Sequence, residues 1–209
     1  MRVLNAHRDR IRLENEIPNL ESFRLAFRAI KVFCIHHGLY SARFGYLGGI
    51  HIAIMLTRIA VNMPASTTAT NLIRCFFAEY AFFEWSTDTV TAVSTNSTNR
   101  RTAREPISIL SPERPVINVA ANATVMNVKA IVEEFKSTNE RLVSSVSWDT
   151  ICGDRDSLVQ DFLGRYNTYI KVYVSHWGGN CVDARSLVGF IESRIVHVSS
   201  LRLLLVFKH

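Results

Sequence analysis

Between Lys31 and Ile50 the chain reads KVFCIHHGLYSARFGYLGGI, and three features in it suit a nucleoside triphosphate. Lys31 brings an ammonium that neutralises phosphate charge, and Tyr40 brings an O–H that can donate to a phosphate oxygen. Gly48-Gly49 lets the backbone approach a ligand closely and puts N–H groups at a helix start, where anions are favoured. Carried on one helix–loop–helix, they would form one wall of a triphosphate site. The sequence supplies no evident opposing wall.

The elements that must position these residues are legible from periodicity. Asn19 is placed to cap a helix over Leu20–His37, because its side-chain oxygen can accept from the first free N–H groups. Phe23, Ala26, Phe27, Ile30, Phe33 and Cys34 recur at three- and four-residue spacing as one apolar stripe, while Arg24, Arg28 and Lys31 share another face. Gly38 supplies a left-handed stop. After the loop Leu39–Leu47, the glycine pair opens a second helix over Ile50 to Val61, ended by Pro64. Residues 66–85 read as a third helix, apolar nearly all round through Leu72, Ile73, Phe76, Phe77, Tyr80, Phe82 and Phe83, and so predicted to be buried. Residues 1–18 carry the near charge-balanced cluster HRDRIRLENE, closed by Pro18.

Composition changes at residues 86–106, which are rich in Ser, Thr and Asn and hold Arg100, Arg101 and Arg104: a polar linker. The proline-containing segment Ile107–Pro115 leads into a second half. There Val125, Val128, Val132 and Phe135 mark an amphipathic helix to about Thr138. A short helix around Ser157–Tyr166 is followed by Tyr169–Ser175, where Ile170, Val172 and Val174 alternate with Tyr169, Lys171 and Tyr173 as in a strand with one buried face. Asp183 caps a long helix with Leu187, Phe190, Ile191, Ile195 and Val198, and LRLLLVF ends the chain as a second strand, giving a βαβ-like unit. The expected fold class is α+β: a helical domain over 1–106, with its linker at 86–106, then an α/β domain over 107–209.

Composition limits the function classes. The 209 residues are 48% hydrophobic with a mean hydropathy of +0.10, and no apolar run approaches the roughly 18 residues of a membrane span. The sequence MRVLNAHRDR has no apolar secretory region, so a cytosolic or nuclear location is expected. Cys34, Cys75, Cys152 and Cys181 show no metal-type spacing and read as reduced thiols. A net charge of +6, with 19 arginines against 5 lysines, suits planar contacts to phosphate, although many mildly basic proteins bind nothing anionic. Tyr169, Lys171 and Tyr173 form an aromatic–basic strip that either stacks RNA bases or is an ordinary half-exposed sheet face, and Arg100 and Arg101 either touch an RNA backbone or stay solvated. His36-His37 reads as a complement to the helix C-terminal dipole, with no acidic residue spaced to make a metal pair.

The order of several pieces resembles the eukaryotic nuclear poly(A) polymerases. They are Leu4-Asn5, Phe23-Arg24-Leu25, Arg28-Ala29-Ile30-Lys31, Leu39-Tyr40-Ser41 and GYLGGI from Gly45 to Ile50. Further along come Phe76-Phe77, Glu84-Trp85, Val132-Glu133-Glu134-Phe135, Tyr169-Ile170 and VGFIESRI from Val188 to Ile195. No single piece is specific; their joint order and spacing over most of the chain is.

The resemblance implies a helical central domain followed by an RRM-like α/β sandwich that binds RNA. It implies that Asn5, Lys31 and Tyr40 contact ATP, and that Gly48-Gly49-Ile50 lies against the adenine and its sugar. Two departures weaken that site: Ala42 stands where the family often has asparagine, and Ile35 where a second lysine is common. Transfer in this superfamily also needs a Gly-Ser loop and three carboxylates holding Mg²⁺ or Mn²⁺. No Gly-Ser dipeptide occurs in the sequence, and its one D-x-D, Asp154-Arg155-Asp156, lies in the second half, so neither catalytic nor metal-binding residues are expected in this chain. The catalytic domain is expected to precede residue 1. ATP, the RNA 3′ end and cleavage and polyadenylation factors are the implied partners, in the nucleus and without a membrane. Two other readings stay open: a non-catalytic RNA-binding relative, and a nucleotidyltransferase with another base preference.

Overall fold

In the computed structural model the described residues are 2–92 and 105–153, followed by residues 160, 164, 171–172, 181–195 and 204–205. They fall into two compact units, Met1–Leu158 and Val159–His209.

The first unit begins with α1 (Arg2–Glu16), a helix where the sequence showed only a charged cluster. Its buried face is Asp9, Leu13 and, just past its end, Ile17, one residue every four. Only two of these are apolar, which hides the stripe. The charges pair along its exposed side, Arg10 with Glu14 at 3.7 Å and Arg12 with Glu16 at 3.0 Å, each an i,i+4 pair that adds a few tenths of a kcal/mol.

α2 (Leu20–His36) follows the expected bounds. Asn19 Oδ1 accepts the Ser22 N–H at 3.0 Å, and Phe23, Ala26, Ile30, Phe33 and Cys34 are buried. At the other end Gly38 takes φ +69°, and the Leu39 N–H reaches back to the Cys34 carbonyl at 2.7 Å. α3 (Gly49–Ala60) starts on the second glycine of the pair.

α4 (Ala69–Ala81) is shorter than residues 66–85 and is not apolar all round. Thr68 caps it, its hydroxyl accepting from Asn71, and Leu72, Phe76, Phe77 and Tyr80 face the core. Phe82 lies past the helix end and is 73% exposed, so the expectation that it is buried fails. The aromatic run mixes a helix face with a turn.

The expected boundary at residue 106 is also displaced. Ile107 and Ile109 are almost wholly buried in the same core as the helices, and α5 (Val125–Val143) packs on α4 through Phe135, whose ring lies 5.6 Å from Phe76 and 5.3 Å from Phe77. Each such fully buried side chain contributes about 1.5–3 kcal/mol, which keeps this segment in the first unit. The segment is laced to the chain after α4 by backbone bonds, with Leu110 N–H donating to the Val90 carbonyl at 2.9 Å and Val90 N–H to the Ser108 carbonyl at 2.9 Å. α5 runs past Thr138 and turns Ile131, Phe135 and Leu142 inward, leaving Val125 exposed. α6 (Trp148–Cys152) closes the unit against α2 and α5.

Of the second unit, the described elements are β1 (Lys171–Val172), α7 (Cys181–Ile195) and β2 (Leu204–Leu205). The strands pair in parallel, Lys171 with Leu204 and Val172 with Leu205, on either side of the helix in sequence, as the βαβ reading required. The short helix expected at 157–166 lies outside the described residues.

Candidate nucleotide-binding wall

Lys31 leaves α2 on the side facing the 38–48 loop, and its Nζ lies 5.4 Å from the centre of the Tyr40 ring, a cation–π distance. Tyr40 is held in register by a bridge to Leu47 and by the Leu47 N–H donating to the Leu39 carbonyl at 3.0 Å. Its hydroxyl lies beside Gly49: a Cβ there would sit 3.5 Å from Tyr40 Oη and 3.9 Å from Phe27 Cζ. Lys31, Tyr40 and Gly49 are all partly buried, so their faces are covered on one side and open on the other. Ile50 is partly buried too and packs on the core. Three of the sequence-predicted residues are therefore brought together, with Ile50 next in line.

Two anchors shape the loop between them. Gly45 takes φ +78° after a 3₁₀ turn (Ala42–Phe44), and a Cβ there would fall 2.6 Å from both the Asn122 carbonyl oxygen and Asn127 Oδ1. Only glycine fits. Asn127 is itself fixed, its Oδ1 accepting from the Thr124 N–H at 3.0 Å and from Thr124 Oγ1 at 2.7 Å at the head of α5.

The second anchor is His51, which the sequence reading passed over. His51 Nδ1 accepts the Gly48 N–H at 2.7 Å, and Nε2–H donates to the Val119 carbonyl at 2.8 Å. One nitrogen accepting and the other donating defines the neutral Nε2–H tautomer. Burial lowers the His51 pKa from its ordinary value, and the bond to Val119 opposes that in part. The expectation that both glycine N–H groups face a ligand is corrected at Gly48, whose N–H is taken by His51. A histidine three residues into a helix is the signal that would have found it. Ala42 lies against Gly48, where a Cβ would stand 3.1 Å from the alanine's own, so this small side chain leaves room for the glycine pair.

The other predicted site residues lie wholly or in part outside the described residues. Asn5 lies in α1, which packs on α3, but its side chain is outside the described residues. Arg100, Arg101, Tyr169 and Tyr173, with the side chain of Lys171, are likewise outside the described residues. Ile35, in place of a second lysine, is 49% exposed. Arg24, on the basic face of α2, is drawn to Glu14 at 3.5 Å. Among the described residues no group of His, Cys, Asp or Glu is placed to hold a metal ion, and no helix there is long and apolar enough to cross a membrane.

The family profile for the poly(A) polymerase central domain matches residues 22–151, which runs from the first turn of α2 into α6 and takes in both anchors of the loop. The chain belongs to the poly(A) polymerase family through this domain. It is 26% identical over 191 residues to a poly(A) polymerase of Dictyostelium discoideum, covering 86% of this chain and 23% of that protein. It is 24% identical over 209 residues to nuclear poly(A) polymerase 1 of Arabidopsis thaliana, covering 93% and 28%, and 26% identical over 183 residues to nuclear poly(A) polymerase 3 of the same plant, covering 85% and 34%. The chain thus spans about a quarter to a third of the length of the curated relatives it matches.

Proposed function

We propose that this chain supplies one wall of an ATP site and an RNA-binding surface to a poly(A) polymerase reaction, in which AMP from ATP is added to an RNA 3′ end. The observation that carries the reading is the convergence of Lys31 Nζ, the Tyr40 ring and Gly49 on one face. An ammonium and a phenol side by side offer donors to phosphate oxygens, and a glycine beside them admits the flat face of a base or sugar. Gly48 serves as packing for that edge while His51 holds its N–H. Asn5 and Ile50 complete the nucleotide contacts in this reading.

The second unit is read as an RRM-like RNA-binding domain, a reading that its parallel strand–helix–strand order supports. Tyr169, Lys171 and Tyr173 would stack and charge-pair with the RNA, joined by Arg100 and Arg101. The names of the two plant relatives support a nuclear location, and cleavage and polyadenylation factors are the protein partners this reading proposes. Because no Gly-Ser dipeptide lies in these residues, the 209-residue chain alone is read as catalytically incomplete, with the metal ions held elsewhere in the working enzyme.

The test is a titration of the ¹⁵N-labelled chain with ATP, alongside a primer-extension assay with ATP and Mg²⁺. Shifts centred on Asn5, Lys31, Tyr40, Gly49 and Ile50, with no extension, are expected. Robust extension by the pure chain would sink the catalytically incomplete reading, and an absence of shifts at this face would sink the ATP wall.

A further inference from the structure

His51 does more than cap the start of α3. A glutamate or glutamine three residues in usually accepts the N-cap N–H, and here a histidine fills that role for Gly48. A carboxylate could do only this. The imidazole has a second nitrogen, and it donates to a carbonyl 68 residues further on, at Val119. That carbonyl belongs to a fixed frame: Val119 N–H bonds to Ile109, Asn118 Oδ1 accepts from the N–H groups of Ile109 and Ala120, and Asn118 Nδ2 donates to the Ile107 carbonyl at 2.9 Å. His51 is itself only 2% exposed, so its ring has no freedom to swing away.

We infer that His51 is a positioning residue for the nucleotide-facing edge: through Gly48 it ties the glycine pair to the Val119 frame and so fixes Gly49 against Tyr40. The inference rests on the reading of that face as an ATP wall. Gly48 is the residue whose backbone must not move if Gly49 is to keep its place beside Tyr40 Oη, and its N–H has one partner to hold it, His51 Nδ1. The nucleotide then meets a preformed edge and need not order one on binding, which is where affinity is gained.

The experiment uses the full chain with ATP as probe, read by amide shifts and by Gly48 hydrogen exchange, with every variant assayed well below its unfolding temperature. His51→Phe keeps the ring volume and removes both nitrogens; His51→Gln restores an acceptor for Gly48 and a donor for Val119. Tyr80→Phe, which loses a buried bond to the Met55 carbonyl but touches neither Gly48 nor Val119, serves as the stability control. His51→Phe is expected to speed Gly48 exchange and weaken ATP binding about three- to tenfold, the worth of one hydrogen bond, while His51→Gln and Tyr80→Phe stay within about twofold of the parent. Should His51→Phe not fold, the parent and His51→Gln decide: an unprotected Gly48 amide in the parent overturns the inference, as does tenfold loss of ATP binding in a folded His51→Gln. Fast Gly48 exchange in His51→Phe with unchanged ATP affinity would overturn the positioning role and leave the ATP wall standing. No ATP response in the parent would remove the wall and the inference together.

Discussion

His37 Nδ1 and Glu134 Oε1 meet at 2.7 Å although 97 residues separate them. The other ring nitrogen, Nε2, faces the Ile151 carbonyl at 3.0 Å, and Phe33 stacks on the ring at 4.1 Å. Both ring nitrogens are thus engaged, one by a carboxyl group and the other by a backbone carbonyl. One side chain thereby joins the end of α2 to α5 and α6, directly before the loop that carries Tyr40.

The first prediction concerns that pair. The side chains of His37 and Glu134 are only 2% and 10% exposed, so removing the acid leaves a buried ring nitrogen without its hydrogen-bond partner. Glu134→Ala should cost about 1–3 kcal/mol of stability, whereas Glu134→Gln, which keeps an acceptor, should cost clearly less. Urea unfolding of the full chain measures both. A loss below about 1 kcal/mol for Glu134→Ala would mean the pair holds nothing together.

Two glycines in the same loop should respond differently to alanine. Gly38 and Gly45 both have positive φ, at +69° and +78°. A Cβ on Gly38 meets nothing within 4 Å, so Gly38→Ala should cost only the left-handed backbone, about 1–2 kcal/mol. On Gly45 it collides with the Asn122 backbone and the Asn127 cap at 2.6 Å, so something must shift. Gly45→Ala should lose more stability than Gly38→Ala by thermal melt, and should also disturb Tyr40 and Gly49 amide shifts. Equal losses would show that the two backbones are not fitted to their surroundings as described.

How much of this was readable beforehand follows from the range of each interaction. Asn19 and Gly38 act on neighbours three to five residues away, so the bounds of α2 were legible. So was the grouping of Lys31, Tyr40 and the glycine pair, because the loop is short. His37 with Glu134, and His51 with Val119, are joined only by the folded chain, and no local pattern announces them. His36-His37 looked like a dipole complement for that reason; His36 Nδ1 does lie 3.3 Å from a carbonyl, that of Cys152, but His37 has its acid. α1 was hidden because one of its three inward positions is Asp9, which accepts from the Glu113 N–H at 3.3 Å in place of apolar packing. Ile107 and Ile109 were assigned to another domain because prolines and a polar stretch surround them, while what decides membership is burial.

Thiol chemistry offers a third check on the core. Cys34 is fully buried in α2, and burial pushes its pKa far above the ordinary thiol value, with Cys152 a smaller cause in the same direction. Burial raises Cys152 to about 11, with Asp149 adding to it. The thiolate is the nucleophile, so at neutral pH Cys34 should resist iodoacetamide in the folded chain and react once urea unfolds it, with Cys152 slow in the native state. Mass spectrometry of peptides after a brief pulse reads both. Rapid native labelling of Cys34 would contradict the packing of α2 on the core.

The last prediction is a pH dependence whose sign comes from His51. Burial, the larger cause, lowers its pKa below the ordinary 6.5, and the Val119 bond raises it only in part. On acidification the unfolded chain takes up a proton at this position before the folded chain does, so stability rises with pH across the window between the two values. The contribution of neutral His51 is complete above pH 6.5, the unfolded value, declines as pH falls from there toward the folded value, and levels off below it. Other groups titrate in the same range, so the reading is a difference: the stability gap between the parent and His51→Phe, measured by urea unfolding at several pH values between about 7.5 and 5. The parent should lose ground to the variant as the solution is acidified, because phenylalanine has no proton to gain. A gap that widens toward acid would mean the folded state binds the proton more tightly than the unfolded chain, and the neutral tautomer joining Gly48 to Val119 could not then be the resting state.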